Sequence, residues 1–192
     1  MGSVGSPDPV MLICGILVSR EDLLPEVEKR LITDFGAVRI ASDPIPFRWT
    51  SYYDKEMGTG ITRRLLVFRD LICPGDIARI KLRTNEMEAD FASDPGAGVP
   101  RPVNLDPGYM DGSRIVLATT KDNSHRIYLA QGIYAELTLS YRKGAYRHYE
   151  WTYPDYRSEE YKGFFEKARL DFLRERAGLR ERARERPGRQ DD

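Results

Sequence analysis

The loop Thr119-Thr120-Lys121-Asp122-Asn123-Ser124-His125 gathers an ammonium, a carboxylate and an imidazole within a few residues. An imidazole titrates near neutrality, so His125 suits an acid or base role; the alternative is a histidine that is hydrogen-bonded for structure. The next segment adds Arg126 and Tyr128, and Glu136, Thr138 and Ser140 follow at alternating positions. Lys121 and Arg126 are the residue types that hold phosphate or carboxylate. A second group is Asn104-Leu105-Asp106-Pro107-Gly108-Tyr109. Pro107 and Gly108 suit the centre of a type II turn, which would present Asn104, Asp106 and Tyr109 just before a strand. There Asp106 either caps the turn or offers a rigid carboxylate to a hydroxyl, an ammonium or Mg²⁺. A third group, Tyr52-Tyr53-Asp54-Lys55-Glu56-Met57-Gly58, suits a lid or a stacking platform carrying Glu56.

These groups need elements to position them. Val10 to Val18 is apolar on both faces, as a central strand is. Leu24, Val27 and Leu31 recur at helical spacing, with Gly36 as a stop. Val38 to Phe47 is extended but broken by Pro44 and Pro46, which puts it at an edge. Arg63 to Phe68 reads as a third strand. Ile77, Ile80, Thr84, Met87 and Phe91 mark a second helix, on which Lys81, Asn85 and Glu88 read as an exposed polar stripe. Arg114 to Thr119 is a fourth strand. This order predicts an α+β fold: a ferredoxin-like antiparallel sheet with two helices on one face, extended by a β-hairpin and a C-terminal helix from Ser158 to Arg174. Matching apolar faces in the hairpin predicts a three-residue turn, Gln131-Gly132-Ile133, with Tyr128 opposite Glu136 and Arg126 opposite Thr138. The resulting polar side is either a solvent face or the wall of a site. Strand length alone separates the Asp106 and Lys121 loops by about 20 Å, so one site requires the hairpin to fold back between them.

The chain of 192 residues balances 30 Lys+Arg against 30 Asp+Glu. Zero net charge argues against a body built as an electrostatic glove for nucleic acid or an anionic membrane. Cys14 and Cys73 lack zinc or disulfide spacing, and the nine-residue apolar run at Val10 is too short to span a bilayer. Residues 1–9 read as a flexible leader, 10–175 as one domain and 176–192 as a charged, fraying tail. A cytoplasmic protein is expected. No GxxxxGK[ST] loop, GxGxxG, HExxH or GxSxG is present, and Thr120-Lys121-Asp122-Asn123 fails the guanine-reading pattern, so a P-loop GTPase is excluded.

Several long segments carry a resemblance. Phe47 to Gly58, Ile80-Lys81 with Thr84-Asn85-Glu86, Arg101 to Tyr109, Ala118 to Leu129, Gly132 to Glu136 and Trp151 to Tyr156 resemble, in this order, the prokaryotic domain-of-unknown-function family 4416. Some members carry the label "GTP-binding protein". The resemblance spans about residues 10 to 175 and implies a bacterial or archaeal cytoplasmic protein; it assigns no residue a role.

Three functions follow as expectations. The first is a small-ligand or nucleotide-directed enzyme acting on a phosphorylated or carboxylated substrate. Asp106, His125 and Glu136 are its candidate catalytic groups, and Lys121, Arg126, Tyr128, Asn104, Tyr109 and Glu56 its candidate ligand contacts, with Mg²⁺ as a possible cofactor. The second is an RNA-binding module stacking bases on Tyr52, Tyr53, Tyr128 and Tyr134. The third is a structural or assembly protein without chemistry.

Overall fold

The strand without polar alternation is the central one. In this computed structural model, which describes residues 2–185, Val10–Val18 form β1, buried at every position. On one side β1 pairs with β4 (Thr62–Ile72), which in turn pairs with β2 (Val38–Ala41) and the short β3 (Ile45–Pro46). On the other side it pairs with β5 (Val103–Met110), followed by β6 (Arg114–Thr119), β8 (Ile133–Arg142) and β7 (Arg126–Ala130); β9 (Ala145–His148) also pairs with β8. Every pairing is antiparallel. The protein is therefore an α+β fold on one large antiparallel sheet, ordered β2-β4-β1-β5-β6-β8-β7.

Alternation along the strands divides the core between the two faces. Leu12, Cys14, Ile16 and Val18 face α1 (Leu24–Phe35) and α3 (Ile77–Ala92), joining Leu31, Ile80, Met87 and Phe91 in one cluster. Met11 and Ile13 face the opposite way, against Tyr161, Phe165, Ala168 and Phe172 of α4 (Glu159–Glu185). A smaller cluster on this second face joins Leu17 to Met57 of the one-turn α2 (Asp54–Met57) and to Ile61. The terminal helix continues well past Arg174, so part of the expected tail is helical; the tail from residue 186 onward lies outside the described residues. Among the described residues no helix is long and apolar enough to cross a membrane.

Two local expectations are overturned. Pro107-Gly108 is not a turn: both residues lie inside β5, and the reversal comes at Asp111–Ser113, where Gly112 takes φ 84. Consequently β5 and β6 form a hairpin, and the Asp106 end of β5 runs beside the Thr119 end of β6. The two loops are neighbours directly, and no fold-back is needed. The second correction concerns the β7–β8 turn, which has two residues rather than three. Gln131 (φ 53) and Gly132 (φ 77) both occupy the left-handed region, as a type I′ hairpin turn requires. The register is therefore Arg126↔Glu136 and Tyr128↔Tyr134. Face matching misled because β7 is an edge strand whose Ile127 and Leu129 are exposed, and an irregularity at Leu129 absorbs the mismatch.

Candidate functional site

The ladder between β5 and β6 runs only from Met110↔Ile115 to Gly108↔Leu117. It stops at Pro107, which has no N–H to donate. Toward Val103 the two strands separate, and α3 satisfies the abandoned backbone. Lys81 Nζ donates to the Leu105 carbonyl at 2.6 Å, and the Leu105 N–H donates to Glu88 Oε1 at 2.8 Å. Lys81 is thus buried beneath the sheet, and the exposed stripe expected for Lys81 and Glu88 is corrected. The helix side chains replace a strand partner, and the split becomes a cleft.

That cleft, of about 60 Å³, is lined by Tyr53, Lys81, Arg101, Asn104, Asp106, Leu117, Ala118, Thr119, Thr120, Lys121, Glu136 and Tyr153. Its mouth continues into a groove of about 460 Å³, and Tyr53, Lys121 and Tyr153 line both. A deeper hollow of about 50 Å³ shares Tyr53, Asp106, Leu117 and Tyr153 and ends at Arg63, Asp155 and Tyr156.

Glu136 sits in one row with Arg126, Leu117 and Gly108 across four strands. Its carboxylate is 1% exposed. Oε2 accepts from Arg126 Nε at 2.9 Å and lies 3.2 Å from His125 Nε2. A carboxylate only accepts, so this contact assigns the imidazole proton to Nε2. The His125 ring stacks on Trp151 at 5.2 Å, and Trp151 stacks on Tyr149 at 4.8 Å, which holds the imidazole plane. Glu136 Oε1 is buried and has no hydrogen-bond partner among the described residues. A buried anionic oxygen left unpaired is costly, and such groups concentrate where a ligand completes them.

Besides Glu136, Arg126 donates through Nη1 to the Lys121 carbonyl and through Nη2 to Tyr153 Oη, three of its five N–H groups. It positions Glu136 and the Lys121 loop and also lines the adjoining groove. Lys121 Nζ reaches only Tyr52 Oη, at 2.9 Å, and lies 4.8 Å from that ring centre at the exposed rim. Burial pushes the Tyr153 hydroxyl up to about 12, with Glu136 adding to the rise against Arg126, so it stays protonated at neutral pH.

Asp106 forms the facing wall. Its Oδ2 accepts from Arg63 Nη1 and Asn104 Nδ2, each at 3.0 Å. Burial alone would raise its pKa. The charges of Arg63 and Lys81, with these two bonds, outweigh burial and hold the carboxyl below its ordinary value. Arg63 also bonds Asp155 at 2.8 Å, and for Asp155 burial wins, raising its pKa. Arg101 ties the rim together through Glu88, Asn104 and Glu56. Among the described residues no group of three His, Cys, Asp or Glu side chains is placed to hold a metal ion. Asp106 or Glu136 would therefore hold Mg²⁺ only together with water and substrate oxygens.

Of the residues singled out in the sequence, Asn104, Asp106, Lys121 and Glu136 line the cleft, Arg126 lines the groove it opens into, and His125 holds Glu136. Glu56 holds Arg101 from α2 without lining the cleft. Tyr128 is exposed on the edge hairpin, edge-to-face with Tyr134. Tyr109 lies on the far side of Gly108, in a separate hollow with Asp111 and Arg114. Sequence reasoning missed Lys81, Arg63, Arg101 and Asp155. The signal for Lys81 was Pro107 in an apolar strand, which forecasts a broken ladder and a vacancy for a helix donor.

The family described as "Domain of unknown function (DUF4416)" matches residues 8–172. The chain belongs to DUF4416. The matched span contains every residue of the cleft, from Tyr53 to Tyr153. No curated protein and no solved structure matches the chain.

Proposed function

We propose that DUF4416, as represented by this chain, is an enzyme acting on a small phosphorylated or carboxylated molecule bound in the β5–β6 cleft. The observation that carries this reading is the convergence of Lys81, Arg101 and Lys121 with Asp106 and Glu136 in one recess that opens into a groove. Opposed charges drawn into a concave site are a physical mark of chemistry. In this reading Lys121 holds the anion at the rim. Glu136 takes a proton from the substrate on Oε1 and returns it, while the His125 Nε2–H bond to Oε2 holds the carboxylate in place. Tyr153, kept protonated, donates toward the developing negative charge. Asp106 or Glu136 would hold Mg²⁺, which would supply positive charge against the anion.

The strand order β2-β4-β1-β5, with α1 and α3 on one face, supports a ferredoxin-like reading of this half. The balanced charge and the lack of a membrane-spanning helix among the described residues fit a cytoplasmic setting. Base stacking is less well supported. Tyr52–Tyr53 and Tyr128–Tyr134 are two edge-to-face pairs, at 90° and 74°, rather than an open row of ring faces.

The test is a thermal-shift series of the full chain against phosphate and carboxylate metabolites, with and without Mg²⁺. A ligand at a hundredfold excess over its Kd should add about 2.7 kcal/mol of stability. Lys121→Ala should weaken that response about tenfold, since an anion loses its rim charge. Absence of stabilisation by any anion, or a response indifferent to Lys121, would contradict the reading.

A further inference from the structure

Resting on the binding reading above, the chemistry of the inner cleft narrows the substrate. Its two walls offer different things. Glu136 Oε1 is a buried acceptor with nothing among the described residues donating to it. Asp106 takes both of its described bonds on Oδ2, so Oδ1 is a second acceptor. Lys81 has three donors; it uses one on Leu105 O and sits 3.5 Å from Glu88, which leaves a donor for the cleft. Asp106 and Glu136 are offset by two residues along the strands and two strand spacings across them, roughly 12 Å between Cα atoms. Both line the cleft, so a substrate of several atoms would span from one to the other.

The group that lies between them must donate to both carboxylates and accept from Lys81. An ammonium donates but cannot accept, and it would face Lys81 and Arg101 at close range. An alkyl group donates to neither Glu136 Oε1 nor Asp106 Oδ1. A hydroxyl does both, and adjacent hydroxyls reach both walls. The mouth, by contrast, carries Lys121 and opens to solvent, which suits an anion. We infer that the substrate is a polyol phosphate or polyol carboxylate, its hydroxyls seated between Asp106, Lys81 and Glu136 and its anionic end at Lys121.

Matched three-carbon pairs test this on the full chain by calorimetry: glycerol 3-phosphate against propyl phosphate, and glycerate against propionate. A site built to bond hydroxyls rejects analogues that lack them, so the polyol member should bind at least about tenfold more tightly in one pair. The pair that shows the preference identifies the headgroup. Glu136→Gln and, independently, Asp106→Asn should each shrink the preference to within about threefold while leaving propyl phosphate or propionate affinity unchanged. Equal, Lys121-dependent affinity for both members of both pairs would overturn the polyol inference and leave the anion site standing. No binding by any of the four would overturn both.

Discussion

Arg63→Met should cost about 3–5 kcal/mol at pH 7, read from urea denaturation, because it strands the buried Asp155 carboxylate and takes the paired cation from the partly exposed Asp106. Arg63 is 3% exposed and bridges Asp106 and Asp155, the latter 4% exposed. Its methionine replacement fills much of the volume, so the loss reports charge and not a cavity. The pH dependence follows from the two carboxyls. Asp106 has a folded pKa below its ordinary 3.8, so it contributes stability above 3.8 and loses it as pH falls through the folded value. Asp155 is raised, so its ionisation already costs stability as pH rises through its folded value. Removing Arg63 turns Asp106 toward the Asp155 case. The gap between wild type and variant should therefore be widest at neutral pH and shrink as the medium acidifies toward 3.8 and both carboxyls take up protons. A loss under about 1 kcal/mol, flat with pH, would show that solvent already screens this cluster.

Gly108→Ala should be nearly as damaging, by about 3 kcal/mol. A Cβ there would press into the Val116 carbonyl oxygen, lie 2.7 Å from Leu117 Cδ2 and lie 3.2 Å from Leu117 Cα. Backbone cannot yield cheaply, and this is the last rung of the β5–β6 ladder before the strands part. The split should then spread down the hairpin and distort the cleft floor, so ligand response should fall with stability. Gly163→Ala in α4 is the control, since its Cβ would meet nothing within 4 Å. There the change should add about 0.5–1 kcal/mol, the ordinary helical gain. Equal small effects at both positions would mean that β5 and β6 do not approach as described.

How far the sequence can be read depends on what each residue has to satisfy. β1 was legible because an unbroken apolar run leaves no solvent face. The apolar stripe of α3 was legible because Ile77, Ile80, Thr84, Met87 and Phe91 keep helical spacing, and all five are buried. Lys81 was not, because a charged residue beside that stripe looks the same whether water or a backbone carbonyl solvates it. Only the missing ladder partner of Leu105 decides which. Pro107-Gly108 misled for a related reason: the pair suits a turn locally, yet Gly108 is required by a close strand crossing. Glu136 and Arg126 were expected near one another, but through the wrong register. Exposure of Ile127 on an edge strand cannot be seen from its apolar type.

The central claim is that Glu136 is kept for a ligand and not for the fold, and Glu136→Gln tests it. The amide still accepts from Arg126, which retains Tyr153 and the Lys121 carbonyl, while the unpaired charge at Oε1 is removed. The unfolding free energy of the free variant should therefore stay within about 1 kcal/mol of wild type, or rise, as it does when a residue held for function is neutralised. Stabilisation by the polyol anion should fall, in the same variant, to that given by its hydroxyl-free counterpart. A loss of roughly 3–5 kcal/mol in the free protein would instead identify Glu136–Arg126 as a structural ion pair and contradict the account.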